Sequence, residues 1–185
     1  DGCDVVINLV GAGISDHRWS TTYKKVLVSS RVDSTQNVVA AIEHAKHKPA
    51  VLINGSAVGY YGDTGDTPTD EGAPAGRDFL AELCVAWEAQ ALRAMEMDVR
   101  VVLLRTGVVL DERDGALKQF ASLFRKFLGG RAGSGRQYLP WVHWRDEIGL
   151  IDFALEKDDL SGALNATSPE PVTNREFSRA LGQVL

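Results

Sequence analysis

Three continuous apolar segments constrain the fold of this chain more than any other feature. They cover residues 5–10, 50–55 and 99–110, and each is rich in β-branched residues. Apolar residues in these segments follow one another without alternating with polar ones, which is typical of strands covered on both faces. Such strands occur almost only in parallel sheets, so the three segments predict the buried centre of an α/β fold.

Helical patterns separate the predicted strands. Apolar residues recur at helical spacing in residues 33–46, 78–97, 116–128 and 146–156, and a fifth pattern starts near Asn174 and runs to Leu185. Asp78 is a suitable N-cap for the second helix. The third helix is expected to bury Phe127 and Leu128 before the glycine pair at 129–130 ends it. Strands that alternate with helices predict a parallel sheet built from right-handed crossovers.

Charge and cysteine content exclude several classes of protein. The 185 residues include 20 Lys and Arg against 25 Asp and Glu, so the formal net charge of −5 argues against a nucleic-acid-binding surface. No apolar run reaches the roughly 18–20 residues that a membrane span needs. Cys3 and Cys84 do not make a disulfide framework, which favours a reducing compartment and hence the cytoplasm.

Motif searches within the chain give only weak signals. Gly11-Ala12-Gly13 follows the first predicted strand, but Asp16 stands where a dinucleotide fingerprint needs its third glycine. Residues 129–135 lack the Lys-Ser/Thr pair of a phosphate loop, and no spacing of candidate ligands indicates a metal site. Ser56 with His143 and either Asp146 or Asp63 is the one combination that could make a hydrolase triad.

Five segments taken together resemble one family. They read SAVGYYGDTG at 56–65, DFLAELCVAWEAQA at 78–91, VVLLRTGVVL at 101–110, GSGRQYLPWVHWRDE at 133–147 and NATSPEPVTNREF at 165–177. In combination they resemble the atypical extended short-chain dehydrogenases/reductases, in particular the NAD-dependent epimerase/dehydratase-like proteins of the YfcH type that also carry a cell-division-inhibitor label. The resemblance covers essentially the whole chain and implies a Rossmann-like, doubly wound parallel sheet.

The resemblance also implies how the chain is organised. Family members begin with a strand, a glycine-rich turn and a helix, whereas this sequence resembles them from their fourth strand onward. We therefore expect residues 1–110 to form a partial NAD(P)-binding domain without its first strands. Residues 111–185 are expected to combine sheet elements with part of a C-terminal substrate-side region. An isolated chain of this kind would expose apolar strand surface and associate.

The usual catalytic motif of short-chain dehydrogenases does not occur in this sequence. That motif, Tyr-x-x-x-Lys, follows the serine-bearing strand, and its lysine makes the phenol acidic enough to act near neutrality. No tyrosine here is followed four residues later by lysine, and the matching helix positions carry Leu80 and Cys84. Tyr60 or Tyr61 could replace the missing phenol, although the sequence shows no cation adjacent to them.

The resemblance implies a set of site residues. The predicted cofactor-binding residues are Gly11, Ala12, Gly13, Arg31, Gly55, Ser56, Ala57, Arg105, Thr106, Gly107 and Val108, and the predicted catalytic residues are Ser56, Tyr60 and Tyr61. Structural interpretations of the same residues remain open: Ser56 as a backbone cap, Arg31 as a helix-start residue, and the tyrosines as packed aromatics. The acidic loop at residues 63–71 could cover a pocket.

Two functions follow from this interpretation. The first is an NAD(P)-binding epimerase/dehydratase-like or oxidoreductase-like protein, with NADP favoured over NAD as the cofactor and a small molecule as the substrate. The alternative is a non-catalytic module that binds a dinucleotide or a partner protein. We expect no nucleic-acid or membrane partner, and the resemblance allows a homodimer.

Overall fold

A computed structural model describes residues 2–185 of the chain. Its central sheet has the strand order β1-β2-β3-β7, and all neighbouring strands are parallel. The four strands are β1 (Val5–Asn8), β2 (Val51–Ala57), β3 (Arg100–Thr106) and β7 (Gly162–Ala166). The predicted α/β fold with a parallel sheet is confirmed.

Six α-helices connect the strands. They are α1 (Thr21–Ser29), α2 (Val32–His44), α3 (Phe79–Leu92), α4 (Gly115–Arg125), α5 (Trp144–Glu156) and α6 (Asn174–Val184), with short 3-10 turns at Val58–Tyr61 and Arg93–Met97. No helix among residues 2–185 combines the length and the apolar character needed to cross a bilayer.

Both faces of β2 and β3 are covered, as their continuous apolar segments predict, whereas the edge strand β1 leaves Val5 and Ile7 with exposed fractions of 37% and 46%, contrary to its predicted burial. Leu52 and Leu103 face a core that α2 and α3 share. Ile53 and Val102 face the opposite core, which Ala154 of α5 closes. Successive strand residues therefore enter different cores, which is why the strands carry apolar residues without alternation.

The third predicted strand is wrong as a single element. The chain leaves the sheet at Gly107 and continues as the short strand β4 (Val108–Leu110), whose partner is β6 (Trp141–His143). A Cβ at Gly107 would lie 2.7 Å from the carbonyl oxygen of Pro140. Only a residue without a side chain lets the two backbones approach this closely.

Several other boundaries differ from the prediction. Helix α4 ends at Arg125, so Phe127 and Leu128 lie outside it, with exposed fractions of 96% and 73% instead of the expected burial. Helix α5 begins two residues early because the Nδ1 atom of His143 accepts a hydrogen bond from the Arg145 amide. Helix α1, strands β6 and β7, and the antiparallel pair β5 (Tyr138–Leu139) and β8 (Val172–Thr173) were not predicted.

Candidate functional site

The predicted cofactor-binding residues come together at one edge of the sheet. Strands β1, β2 and β3 are parallel, so their C-terminal ends and the loops that follow lie side by side. Asn8 pairs with Asn54, and Ala57 pairs with Thr106. In open α/β sheets this carboxyl edge is where ligands bind.

A buried network of neutral polar side chains ties this edge to the helices. Asn8 Nδ2 donates to Thr35 Oγ1 at 2.9 Å and to Asn54 Oδ1 at 2.7 Å. Trp87 Nε1 donates to the same Thr35 oxygen at 2.9 Å. The sequence analysis missed this network, although two asparagines inside apolar strands were its signal. The network fixes the ends of β1 and β2 against α2 and α3.

The loop after β1 packs tightly around its small residues. A Cβ at Gly11 would lie 2.8 Å from the guanidinium carbon of Arg31, so that side chain occupies the space beside Gly11. The Ala12 amide donates to Ser30 Oγ at 3.0 Å, and the carbonyl of Gly13 accepts a hydrogen bond from Tyr23. The loop is therefore held against the end of α1 and the start of α2.

A second buried network, which we call the charged network, joins Ser56, Glu88, Arg105, Tyr61 and Asn165. Arg105 forms a bidentate ion pair with Glu88, with Nε–Oε1 and Nη2–Oε2 distances of 2.9 Å. Ser56 Oγ donates to Glu88 Oε1 at 2.6 Å. Arg105 Nη1 donates to the Tyr61 hydroxyl at 2.9 Å, and that hydroxyl donates to Asn165 Oδ1 at 2.7 Å. One hydrogen-bonded chain thus links β2, α3, β3 and β7.

The sequence shows no cation beside Tyr60 and Tyr61, but the fold supplies one. The Arg105 guanidinium carbon lies 3.5 Å from the ring centre of Tyr60 and 5.0 Å from that of Tyr61. Burial alone disfavours the charged guanidinium, but hydrogen bonds with Glu88 and Tyr61 outweigh that effect and raise the pKa of Arg105. Arg105 is therefore a permanent positive charge in contact with both rings.

The three predicted catalytic hydroxyls differ in what they bind. The hydroxyl hydrogen of Ser56 is donated to Glu88, and that of Tyr61 is donated to Asn165. The hydroxyl of half-buried Tyr60 makes no hydrogen bond to another residue within 2–185. Among the three, Tyr60 is the one whose hydroxyl remains available to a ligand.

A cleft of about 340 Å³ opens next to Tyr61 and Asn165. One of its walls is formed by residues between 62 and 69, which follow the tyrosines and include the first part of the acidic loop. The loop is closed at its base, where the Gly76 amide donates to the Tyr60 carbonyl at 2.8 Å. It is also fixed across β7, because Glu71 Oε1 accepts from the Asn165 amide at 2.9 Å.

Helix α3 carries Leu80 and Cys84, the two residues that the sequence analysis expects at the positions of the family's tyrosine and lysine. Leu80 packs against Gly59: a Cβ added to Gly59 would lie 3.4 Å from the Cβ of Leu80. The Cys84 thiol faces Ser56 and Ala57, and burial, reinforced by the charge of Glu88, raises its pKa to about 11. The thiol is therefore protonated at neutral pH and is not a nucleophile there.

The structure does not arrange Ser56 and His143 as the hydrolase hypothesis requires. Ser56 is hydrogen-bonded to Glu88 rather than to a histidine. His143 instead caps α5 through the Arg145 amide. Among residues 2–185, no group of three or more His, Cys, Asp and Glu side chains is placed to hold a metal ion.

Glu147 is a partly buried carboxyl at the start of α5. Its Oε1 accepts from Thr106 Oγ1 at 2.7 Å, whereas Oε2 is enclosed and has no hydrogen-bond partner among residues 2–185. Burial raises the pKa of this carboxyl, and the hydrogen bond from Thr106 offsets only part of that rise. The folded state therefore favours the neutral form of Glu147.

Substituting Glu147→Gln is expected to raise the melting temperature at pH 8 and to change it little near pH 4. A raised pKa means that the stability contributed by the carboxyl is complete below its ordinary value of 4.5 and is lost as the pH rises through the folded-state value. Each unit by which the pKa is raised changes the free energy of unfolding by about 1.4 kcal/mol. In a chain of this size, each kcal/mol changes the melting temperature by roughly 2–4 °C.

Thermal melts between pH 4 and pH 8 check this expectation. Glu43→Gln, at an exposed position on α2, is the matched control and should show the pH dependence of the unmodified protein. If Glu147→Gln and the unmodified protein keep a constant difference in melting temperature across this range, then the ionisation of Glu147 does not affect folding.

Known proteins are similar to this chain in sequence and in fold. The sequence profile of the NAD dependent epimerase/dehydratase family matches residues 1–166. The Epimerase family protein MT2273 of Mycobacterium tuberculosis is 47% identical over 182 residues, which are 98% of this chain and 60% of that protein. The Epimerase family protein SDR39U1 of Homo sapiens is 38% identical over 186 residues, 99% of this chain and 63% of the human one. This chain thus spans about 60% of the length of these curated relatives.

Solved structures share the fold. The crystal structure of human SDR39U1 (isoform 2) with NADPH gives a TM-score of 0.91 at 36% identity and covers 98% of this chain and 64% of that one. A nucleoside-diphosphate sugar epimerase from Corynebacterium glutamicum gives 0.86 at 33% identity, over 100% of this chain and 38% of that one. These structures confirm the Rossmann-like fold. Together with the profile match, they show that the chain belongs to the NAD dependent epimerase/dehydratase family.

Proposed function

We propose that the chain binds NADP(H) at the carboxyl edge of β1, β2 and β3 and belongs to an NADP-dependent oxidoreductase or epimerase. The observation that carries the proposal is the convergence at this edge of Gly11–Gly13, Gly55–Ala57 and Arg105–Val108. The amides of Gly11 and Gly13 make no hydrogen bond within residues 2–185, so they fit a ligand that offers oxygen acceptors. The related human protein was solved with NADPH, which favours the phosphorylated cofactor.

A fluorescence titration tests the cofactor assignment. NADPH and NADH are added to the intact gene product, and the fluorescence of the bound dihydronicotinamide is followed to saturation. We expect saturable binding, with a lower dissociation constant for NADPH. A folded protein that binds neither dinucleotide would contradict the proposal.

The proposed reaction uses Tyr60 as the proton donor. When bound, NADPH supplies a hydride to a carbonyl carbon of the substrate. The Tyr60 hydroxyl, which has no partner within residues 2–185, donates its proton to the carbonyl oxygen, and Arg105 below the ring stabilises the negative charge left on the phenol. Ser56 and Tyr61 hold Glu88 and Arg105 in position and are assigned positioning roles.

Substitutions separate these roles. Tyr60→Phe alone, and the pair Ser56→Ala with Tyr60→Phe, should abolish turnover while the dissociation constant for NADPH stays within about twofold of the unmodified protein. Tyr61→Phe is the comparison variant: it removes the two hydrogen bonds of a positioning hydroxyl, so it should lower stability by roughly 1–3 kcal/mol and reduce turnover without abolishing it. If Tyr60→Phe retains full activity, the assignment of the proton donor is wrong.

A non-catalytic module is the second candidate, and one observation favours it. Leu80 and Cys84 give α3 an apolar face where the family carries its proton-transfer pair, and the Cys84 thiol is protonated. In that case NADPH would bind but no carbonyl compound would oxidise it. Unchanged NADPH absorbance at 340 nm across a broad set of aldehydes, ketones and nucleotide sugars would favour the module.

We also propose a cellular compartment and an oligomeric state for the protein. The free thiols of Cys3 and Cys84 support a reducing compartment, and we place the protein in the cytoplasm. An Arabidopsis thaliana relative is named as chloroplastic, so compartments differ within the family. We also propose that the substrate is a small molecule and that the protein is a homodimer. Light scattering of the intact gene product would test the dimer.

A further inference from the structure

Arg31 is a buried cation without a counter-ion among residues 2–185. Its exposed fraction is 9%, yet the one hydrogen bond that its side chain makes within residues 2–185 is a 3.4 Å contact from Nη1 to the carbonyl of Leu27. No carboxylate oxygen of these residues lies within 4.0 Å of it. Arg105, buried to a similar degree, is instead paired with both oxygens of Glu88. Buried charges are normally paired, so the position of Arg31 needs an explanation.

The surroundings make the unpaired charge costlier still. Arg31 is the N-cap residue of α2, where the helix dipole is positive and disfavours a cation. Burial lowers the pKa of its guanidinium, which is the direction expected for a charge whose surroundings offset the cost of burial only in part. Both effects would be reversed by an anion placed against the guanidinium.

The guanidinium is held in place but remains open on one side. It lies 5.2 Å from the ring of Trp87, whose Nε1 is fixed by Thr35. The Nε and Nη2 atoms donate to no residue within 2–185, and neither is among the fully enclosed unpaired atoms, so both are accessible from outside. Gly11 lies directly against these atoms. Two parallel N–H groups of this kind match the two oxygens of a carboxylate or phosphate.

We infer that Arg31, positioned by Trp87 and Gly11, binds an oxyanion of a bound small molecule at the carboxyl edge of the sheet. The inference extends the proposed function, since the anion is either a phosphate of the dinucleotide or a phosphate or carboxylate of the substrate. The shared chemistry is a bidentate contact with Nε and Nη2.

The test compares Arg31→Gln with the unmodified intact gene product. NADPH and NADH titrations give the dissociation constants of the two dinucleotides, and calorimetry gives the binding of inorganic phosphate to the protein with and without saturating NADPH. Losing a charged bidentate contact is expected to weaken the affected ligand about 10- to 100-fold. Arg93→Gln is the control, because Arg93 is an exposed arginine at the opposite end of α3 from the site.

The outcomes distinguish the sources of the anion. Weaker binding of both dinucleotides in Arg31→Gln assigns the anion to the phosphates they share, and weaker binding of NADPH alone assigns it to the 2′-phosphate. Unchanged dinucleotide binding with loss of phosphate binding to the NADPH-saturated protein assigns it to the substrate. If Arg31→Gln changes neither dinucleotide nor phosphate binding, the inference is overturned. Arg31-dependent phosphate binding in a protein that binds no dinucleotide would overturn the proposed function and support this inference.

Gly11→Ala provides a second variant that keeps the charge. Its Cβ would lie 2.8 Å from the Arg31 guanidinium carbon, so the side chain must move while the arginine remains. We expect the same ligand to be weakened as in Arg31→Gln, with an unchanged circular dichroism spectrum. Undiminished affinity in a folded Gly11→Ala protein would contradict the assigned geometry.

Discussion

Replacing Glu88 with glutamine is expected to destabilise the folded protein by about 3–5 kcal/mol, because the change leaves the buried Arg105 without its counter-ion. Both side chains are almost fully buried, with exposed fractions of 5% and 6%. Glutamine has nearly the volume of glutamate, so the cost reports the lost charge and not a cavity. The glutamine also replaces one carboxylate oxygen with an N–H₂ group, which cannot accept a hydrogen bond from the Arg105 guanidinium. Urea unfolding, compared through midpoint and slope, measures the change.

The double variant Glu88→Gln with Arg105→Gln is the control for this interpretation. Removing both charges leaves two amides that can hydrogen-bond to each other, so the double variant should be less destabilised than the sum of the single variants. A coupling energy of roughly 0.5–3 kcal/mol is typical of residues in contact. If the destabilisation of the double variant equals the sum for the two single variants to within about 0.5 kcal/mol, Glu88 and Arg105 are not energetically coupled.

Three of the four strands of the central sheet could be predicted because their signal is local, whereas β7 has no continuous apolar run and was not predicted. Strands β2 and β3 each carry a continuous apolar run because both of their faces are buried, and β1 carries a similar run although Val5 and Ile7 are exposed. The break at Gly107 could not be found in the same way. It depends on the Pro140 carbonyl, which lies more than thirty residues away in sequence and is brought beside Gly107 by the pairing of β6 with β4.

The candidate site was predicted in position but not in detail. The ends of the strands placed Ser56, Tyr60 and Tyr61 together, since parallel strands bring their carboxyl ends to one edge. The charged network escaped notice because its members are far apart in sequence. Its signals were present, however: Arg105 stands inside an apolar strand, and Glu88 stands beside Trp87 on a largely apolar helix. A charge at a buried position predicts a partner but does not name it.

Helix α1 illustrates a different limit of sequence reasoning. Only Tyr23 and Leu27 of its nine residues are buried, so its apolar pattern is too sparse to separate it from a loop. The helix is stabilised by tertiary contacts, namely packing of these two residues against Leu83 of α3 and a cap from Ser20. Packing of this kind decides helix formation where propensity and periodicity do not.

Replacing Trp87 with alanine is expected to destabilise the protein by about 3–5 kcal/mol, as is typical for a large aromatic side chain removed from a core. Trp87 is buried, and its ring fills the space beside Gly55, where a Cβ would lie 3.1 Å from it. The substitution also removes the donor that Trp87 Nε1 provides to Thr35 and the surface on which Arg31 rests. It therefore acts on both the core and the ligand-facing edge.

Two further variants separate these contributions. Trp87→Phe retains most of the ring volume and loses the Nε1 donor, so urea unfolding should show a smaller cost, about 1–2 kcal/mol, with the Arg31-dependent ligand still bound. Trp19→Ala, at a residue that is 41% exposed, should also cost less than Trp87→Ala. If Trp87→Ala costs no more than Trp19→Ala, then Trp87 is not the residue that fixes α3 to β2. Because Trp87 joins the core to Arg31, its loss should lower stability and anion affinity together, whereas Arg31→Gln should lower only the affinity.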